Sequence, residues 1–201
     1  MRLVANWTAS LRNWIYFLFS LALGLGAGAF SAQYAVRQGA AAPAVIIGPW
    51  QSFTETGGSE LNPYALAYTS IYGSLKLENF EVLYFVAKKD DGNTILSGDC
   101  EYVIKGNVPD AKWWSLTIYD QNGSLIDNPA ERYSFNGTNV LLKQKKEFTI
   151  ALAARARAGN WIPIEAGKPF VIMLRLYSPG INSIRDANEI SFPKVERLNC
   201  S

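Results

Sequence analysis

Two arginines, Arg132 and Arg175, stand among aromatic and apolar residues in a chain where only 18% of residues are charged. A guanidinium in such surroundings needs a carboxylate, a cluster of carbonyls or an aromatic face, because an unpaired buried charge is costly. Asp120, Asp127 and Glu131 are the nearest carboxylates along the chain. Two chemistries follow. The arginines can staple loops through fixed hydrogen bonds. Alternatively, they can line a cleft for an anion or a sugar, with Trp113, Tyr119, Tyr133, Trp161 and Tyr177 as walls. Glycoside hydrolysis in that cleft would need two carboxyl groups, such as Asp120 and Glu131, about 5 to 10 Å apart.

Other chemistry is closed to the chain acting alone. There is no histidine, which removes the commonest general base and the commonest metal ligand. Ser-His and Cys-His pairs cannot form. Cys100 and Cys200 are too few for a thiolate metal site, so no metal, cofactor or catalytic residue is assigned. The net charge of +2 is unevenly placed. Arg2, Arg12 and Arg37 precede the first acid, Glu55, and removing those three from 19 basic residues leaves 16 against 17 acidic ones. A near-neutral domain offers no footprint for nucleic acid, and nucleic acid is rejected as a partner.

The elements that must hold these residues follow from periodicity. From Glu81 onward apolar residues alternate with a period of two. EVLYFVAKK predicts a strand, Asp91-Gly92 a hairpin turn and NTILSG its return. CEYVIKG and KWWSLTIYD predict two more strands, the second placing Trp113, Ser115, Thr117 and Tyr119 on one face and Trp114, Leu116 and Ile118 on the other. Asn122-Gly123 is the strongest hairpin signal. Further strands are expected at residues 140–143, 148–153, 170–177 and 190–198, with Asn160-Trp161-Ile162-Pro163 as a loop motif. The pattern predicts a mainly β sandwich or barrel of about eight strands. One covering α-helix is expected ahead of it, capped by Asn62-Pro63 and carrying Tyr64, Tyr68, Ile71, Tyr72 and Leu75 on one stripe.

The leader is different in kind. Residues 14–36 carry no charge over 23 positions, enough to span a bilayer core. Trp7, Trp14 and Tyr16 at one end and Tyr34 at the other suit interfacial belts. The positive-inside rule puts residues 1–13 in the cytoplasm and everything after Arg37 outside it. A cleaved signal peptide is the rival, with Ala29 and Ser31 at the −3 and −1 positions. Ser20, Gly24, Gly28 and Ala32 recur every four residues, a face on which a second transmembrane helix could pack closely. Residues 37–61 read as a connector, partly packed on the domain because Ile46, Ile47, Trp50 and Phe53 are too apolar for a free linker. Outside the cytoplasm Cys100 and Cys200 could pair; the alternative is two free thiols. Lys143, Lys145 and Lys146 form a small basic cluster, either solvated or facing anionic headgroups.

Over residues 62–201 several segments together resemble the DUF1214 family, a domain of unknown function. They are Asn62-Pro63-Tyr64, Asp90-Asp91-Gly92, the strand from Trp113 to Asp120, Asn128-Pro129, Arg132-Tyr133, Gly159-Asn160-Trp161-Ile162-Pro163, Leu174-Arg175-Leu176-Tyr177 and the terminal Cys200. Ile162 stands where the family often has leucine. The resemblance is to a short, membrane-anchored branch and implies a jelly-roll-like β-sandwich. It also implies a partner, since in longer relatives this domain follows an all-β DUF1254 domain. The expectation is a single-pass protein of a bacterial inner membrane with a periplasmic sandwich, acting as a binding or assembly module beside a DUF1254-like chain. The alternative is a carbohydrate-active or other hydrolase using carboxylates.

Overall fold

The computed structural model describes residues 2–37, 45–52, 67 and 81–200. It divides into two compact units, Met1–Ala40 and Ala41–Ser201. In the first, helix α1 runs unbroken over Arg2–Arg37. Within it, Arg12–Val36 is long and apolar enough to cross a membrane, with a mean hydropathy of 1.7 and no buried side chain. By length and composition this segment fits an anchor or a signal sequence. Ser20, Gly24, Gly28 and Ala32 are exposed on it, and a Cβ built on Gly24 or Gly28 would touch nothing within 4 Å.

The second unit is a β-sandwich-like pair of sheets. Ten strands are described: β1 Val45–Ile47, β2 Trp50–Ser52, β3 Val82–Ala87, β4 Cys100–Asn107, β5 Ala111–Asp120, β6 Ser134–Asn136, β7 Glu147–Ala153, β8 Asn160–Pro163, β9 Phe170–Pro179 and β10 Lys194–Cys200. One sheet has the order β1-β2-β3-β9-β5-β6 and the other β10-β4-β7-β8. A five-residue helix, α2 (Ile181–Arg185), and a 3-10 turn, Ala187–Glu189, link β9 to β10.

The period of two in β5 decides which face joins the hydrophobic core; Ser115 and Thr117 on the other face are buried too. Trp114, Leu116 and Ile118 enter the core with Leu83 and Phe85 of β3 and Ile172, Leu174 and Leu176 of β9. The facing sheet supplies Tyr102, Ile104, Phe148, Ile150, Leu152, Ile162 and Val195. Trp114 stacks on Phe148 at 4.9 Å between ring centroids, and Tyr102 meets the edge of Phe170 at 5.6 Å, so aromatic pairs join the sheets.

Residues 45–52, inside the segment expected to be a connector partly packed on the domain, form the β1-β2 hairpin at the edge of the larger sheet. There Trp50 is only 1% exposed and its indole N–H donates to the Pro193 carbonyl at 2.8 Å. Asn160-Trp161-Ile162-Pro163 is not a loop but strand β8, parallel to β7. A parallel neighbour ordinarily needs a long crossover. Here residues 154–159 suffice because β8 is short, and Gly159 (φ 81°) supplies the sharp re-entry.

Residues 140–143 are not a strand. Their backbone is satisfied instead by a single bridge from Leu142 to Phe148 and by the side chain of Asn160. The return after Asp91-Gly92 is only a bridge between Lys89 and Ile95, and the return after Asn122-Gly123 is interrupted between the Tyr119–Leu125 bridge and β6. The helix expected from Asn62-Pro63, with Tyr64, Tyr68, Ile71, Tyr72 and Leu75, lies outside the described residues, as does Phe53.

Candidate functional site

Strand β9 lies between β3 and β5, with Arg175 opposite Tyr84 on one side and Ser115 on the other. Its side chain leaves the core-distant face, the one that carries Thr117 and Tyr119. The guanidinium donates to the Tyr119 hydroxyl at 2.8 Å and to Thr117 Oγ1 at 3.4 Å, and sits 5.4 Å from the Tyr119 ring centroid. Trp113 and Tyr177, partners in register on the same face, meet edge to face at 5.0 Å. Arg175 is thus a cross-strand staple, bonded from both terminal nitrogens of its guanidinium.

Arg132 lies elsewhere. It follows a loop ordered by Asn128, which is 8% exposed. The Asn128 amide donates to the Ile126 and Arg132 carbonyls (3.0 and 3.2 Å), while its Oδ1 accepts the Arg132 N–H at 3.1 Å. Glu131 there adopts φ 47°, a left-handed conformation that the clamp maintains. The exposed guanidinium donates to the Trp161 carbonyl at 3.3 Å and lies 5.9 Å from the ring centroids of both Trp161 and Phe135. Trp161 is fixed in turn, its indole N–H donating to the Ala153 carbonyl at 2.9 Å. Tyr133 is half-buried, and its carbonyl accepts the Ile118 N–H.

The seven pooled residues therefore split. Trp113, Tyr119, Arg175 and Tyr177 share the outer face of the larger sheet. Arg132 and Trp161 meet where the loop before β6 approaches β8, and Phe135, on which Arg132 rests, points inward. One common Arg/aromatic cleft is not formed. Of the two arginines, Arg132 is the one with donors to spare. A guanidinium has five N–H groups, and that of exposed Arg132 makes one hydrogen bond, to a carbonyl, among the described residues.

The carboxylates serve turns. Asp120 Oδ1 accepts the backbone N–H groups of Asn122 and Ser124, both at 2.8 Å, which closes the Asn122-Gly123 turn. Glu131 is exposed on its loop. Among the described residues no group of three or more acids or cysteines is placed to hold a metal ion.

Periodicity and composition missed a third group, Asp90, Asp91 and Arg197. Asp90 is 2% exposed. Its Oδ1 accepts the Thr94 N–H at 2.9 Å, and its Oδ2 lies 3.3 Å from Arg197 Nε as an ion pair. Asp91 exchanges bonds with Val195, accepting its N–H at Oδ2 (2.8 Å) and donating its own N–H to the carbonyl (3.0 Å). Partial burial raises the Asp91 carboxyl above its ordinary value, against the Val195 N–H and Lys194, which lower it. The only signal in the sequence was the pair of acids before Gly92. At the C-terminal end of β10, Cys200 pairs in register with Cys100, and their sulfurs are bonded at 1.97 Å. A cleft of about 440 Å³ opens beside them, lined in part by Asp99, Glu101, Arg155 and Arg157. Arg157 is ion-paired with Glu101.

Fold and site together define a two-sheet β domain following an apolar helix, with its arginines set against aromatic rings. The chain belongs to the DUF1214 family, described as a protein of unknown function, whose profile matches residues 81–181. Among solved structures it is similar to the VPA0106 protein from Vibrio parahaemolyticus, with 22% identity and a TM-score of 0.57, over 68% of this chain and 35% of that one. A second, an uncharacterized protein from Burkholderia cenocepacia, gives 16% identity and a TM-score of 0.44, over 85% of this chain and 41% of that one. The chain thus spans well under half of either solved structure. No curated protein matches it.

Proposed function

We propose that this protein is a single-pass protein of a bacterial inner membrane whose periplasmic sandwich is a binding and assembly module for another envelope protein. The observation that carries the reading is the unburied apolar segment Arg12–Val36, without an internal charge, ahead of a separate β domain. A bond between Cys100 and Cys200 fits a domain outside the reducing cytoplasm. The partner is a DUF1254-like chain, the all-β domain that precedes this one in longer relatives. Its contact includes Arg132, Tyr133 and Trp161, where an exposed guanidinium with unused donors lies against an aromatic ring, the composition favoured at interface centres. The Ser20, Gly24, Gly28 and Ala32 face gives a second helix room to pack.

The test is purification of the tagged native protein from membranes in mild detergent, followed by intact-mass measurement. An uncleaved N-terminus and a co-purifying DUF1254-like chain are expected, the latter lost in Arg132→Ala. A mature N-terminus near Ala32 would overturn the anchor, and recovery of this chain alone would overturn the partner.

A further inference from the structure

We infer that the loop Leu141-Leu142-Lys143-Gln144-Lys145-Lys146 is a lipid-contacting surface that sets the sandwich against an anionic bilayer. Leu141 and Leu142 are 67% and 47% exposed, the first being the most exposed large apolar side chain among the described residues of the domain. All three lysines are exposed beside them, and none has an ion-pair partner among the described residues. Glu147 is the one acid within the loop and its flank, so residues 141–147 carry an excess of two positive charges. Apolar side chains at a tip ringed by lysines match an interface where hydrocarbon lies beneath anionic headgroups.

The loop is built rather than loose. Asn160 holds the Leu141 N–H and carbonyl at 2.8 Å each, the Lys143 N–H donates to the Glu147 carbonyl at 2.7 Å, and the Val108 N–H donates to the Lys146 carbonyl at 3.0 Å. Lys145 and Lys146 both adopt left-handed backbone, φ 61° and 60°. Glycine or asparagine would take these conformations with less strain. Two successive lysines there mean that strain is tolerated in order to present charge, the situation in which an outlier points to function.

The occupant is an anionic lipid surface rather than a protein, because a protein interface depletes lysine at its centre, whereas lysine next to exposed leucine is what headgroups select. The inference uses the anchored reading only for proximity, since a chain held by residues 14–36 keeps its domain near the bilayer.

The full chain, with its disulfide intact, carries an environment-sensitive dye at Leu142→Cys and is reconstituted into nanodiscs. One set is phosphatidylcholine alone, and another mixes in phosphatidylglycerol. Spin-labelled lipid quenches any dye in contact with the bilayer, while quenching of Trp14 by brominated lipid reports insertion of the helix separately. A dye at Ile95→Cys, exposed on the connection between β3 and β4, is the control. Dye quenching at 142 is expected in anionic discs and not at 95. Each lysine near an anionic surface biases docking by about fivefold, so changing all three to glutamine should lower the docking equilibrium constant by up to about a hundredfold. An inserted helix with an unquenched dye at 142 would overturn the loop's role and leave the anchor standing. Quenching unaffected by the lysine changes would overturn headgroup recognition, and shielding of the dye only with a co-purified protein would assign the loop to that partner instead. Failure of the chain to associate with either disc would overturn both readings.

Discussion

Asn160 pairs with the backbone of Leu141 as a neighbouring strand would. Its Oδ1 accepts the Leu141 N–H and its Nδ2 donates to the Leu141 carbonyl, each at 2.8 Å, and the same Nδ2 reaches the Thr149 carbonyl at 3.0 Å. One buried amide thus ties three segments together and replaces the strand that residues 140–143 do not form. Asn160→Ala would leave the Leu141 backbone groups without these partners. A loss of about 2–3 kcal/mol is expected in urea unfolding. Asn160→Asp keeps an acceptor but no donor and should be no better.

The alternation along β5 separates two adjacent tryptophans. Trp114 is 1% exposed and stacked on Phe148, so Trp114→Ala should cost about 3–5 kcal/mol. Among the described residues its indole nitrogen has no hydrogen-bond partner, so Trp114→Phe should cost much less. Trp113, half-buried beside Tyr177, should lose about 1–2 kcal/mol on change to alanine. Equal losses at both positions, by thermal unfolding, would contradict the assignment of faces.

The Cys100–Cys200 bond ties the last strand to β4 across a sequence separation of 100 residues. Cys200→Ser should destabilise by about 2–4 kcal/mol, mainly by freeing the unfolded chain. The wild-type melting temperature should fall in reductant, while that of the variant should not move.

Asp91 gives stability a pH dependence of definite sign. Its carboxyl is raised from 3.8 on folding, so the folded state holds the proton more tightly than the unfolded chain. Its contribution is complete below 3.8 and declines as pH rises through the higher folded value. Urea titrations across that window should show the decline in the wild type and not in Asp91→Asn, whose amide oxygen can still accept the Val195 N–H.

The sandwich was legible because each strand states its own dry face. Trp114, Leu116 and Ile118 alternate with Trp113, Ser115, Thr117 and Tyr119, and the first set joined the hydrophobic core as expected, although Ser115 and Thr117 on the other face are buried as well. The arginine site was less legible. Arg132 and Arg175 look equivalent in composition, but one is stapled to Tyr119 on an outer face and the other rests on Trp161 near the opposite sheet. Nothing local distinguishes them, since which ring a guanidinium meets depends on which strands become neighbours.

The sequence by itself therefore determined the elements: an uncharged apolar helix, strands with a period of two, turns at Asn122-Gly123 and Asp91-Gly92, and the chemistry that a chain without histidine cannot perform. Only the tertiary structure decided the pairings. It set β8 parallel to β7, let the Asn160 side chain stand in for a strand, joined Asp90 to Arg197, and brought Cys100 level with Cys200. Periodicity is a property of one segment, fixed by where its own side chains point. Adjacency is a property of two, fixed by the packing of a core to which every strand contributes.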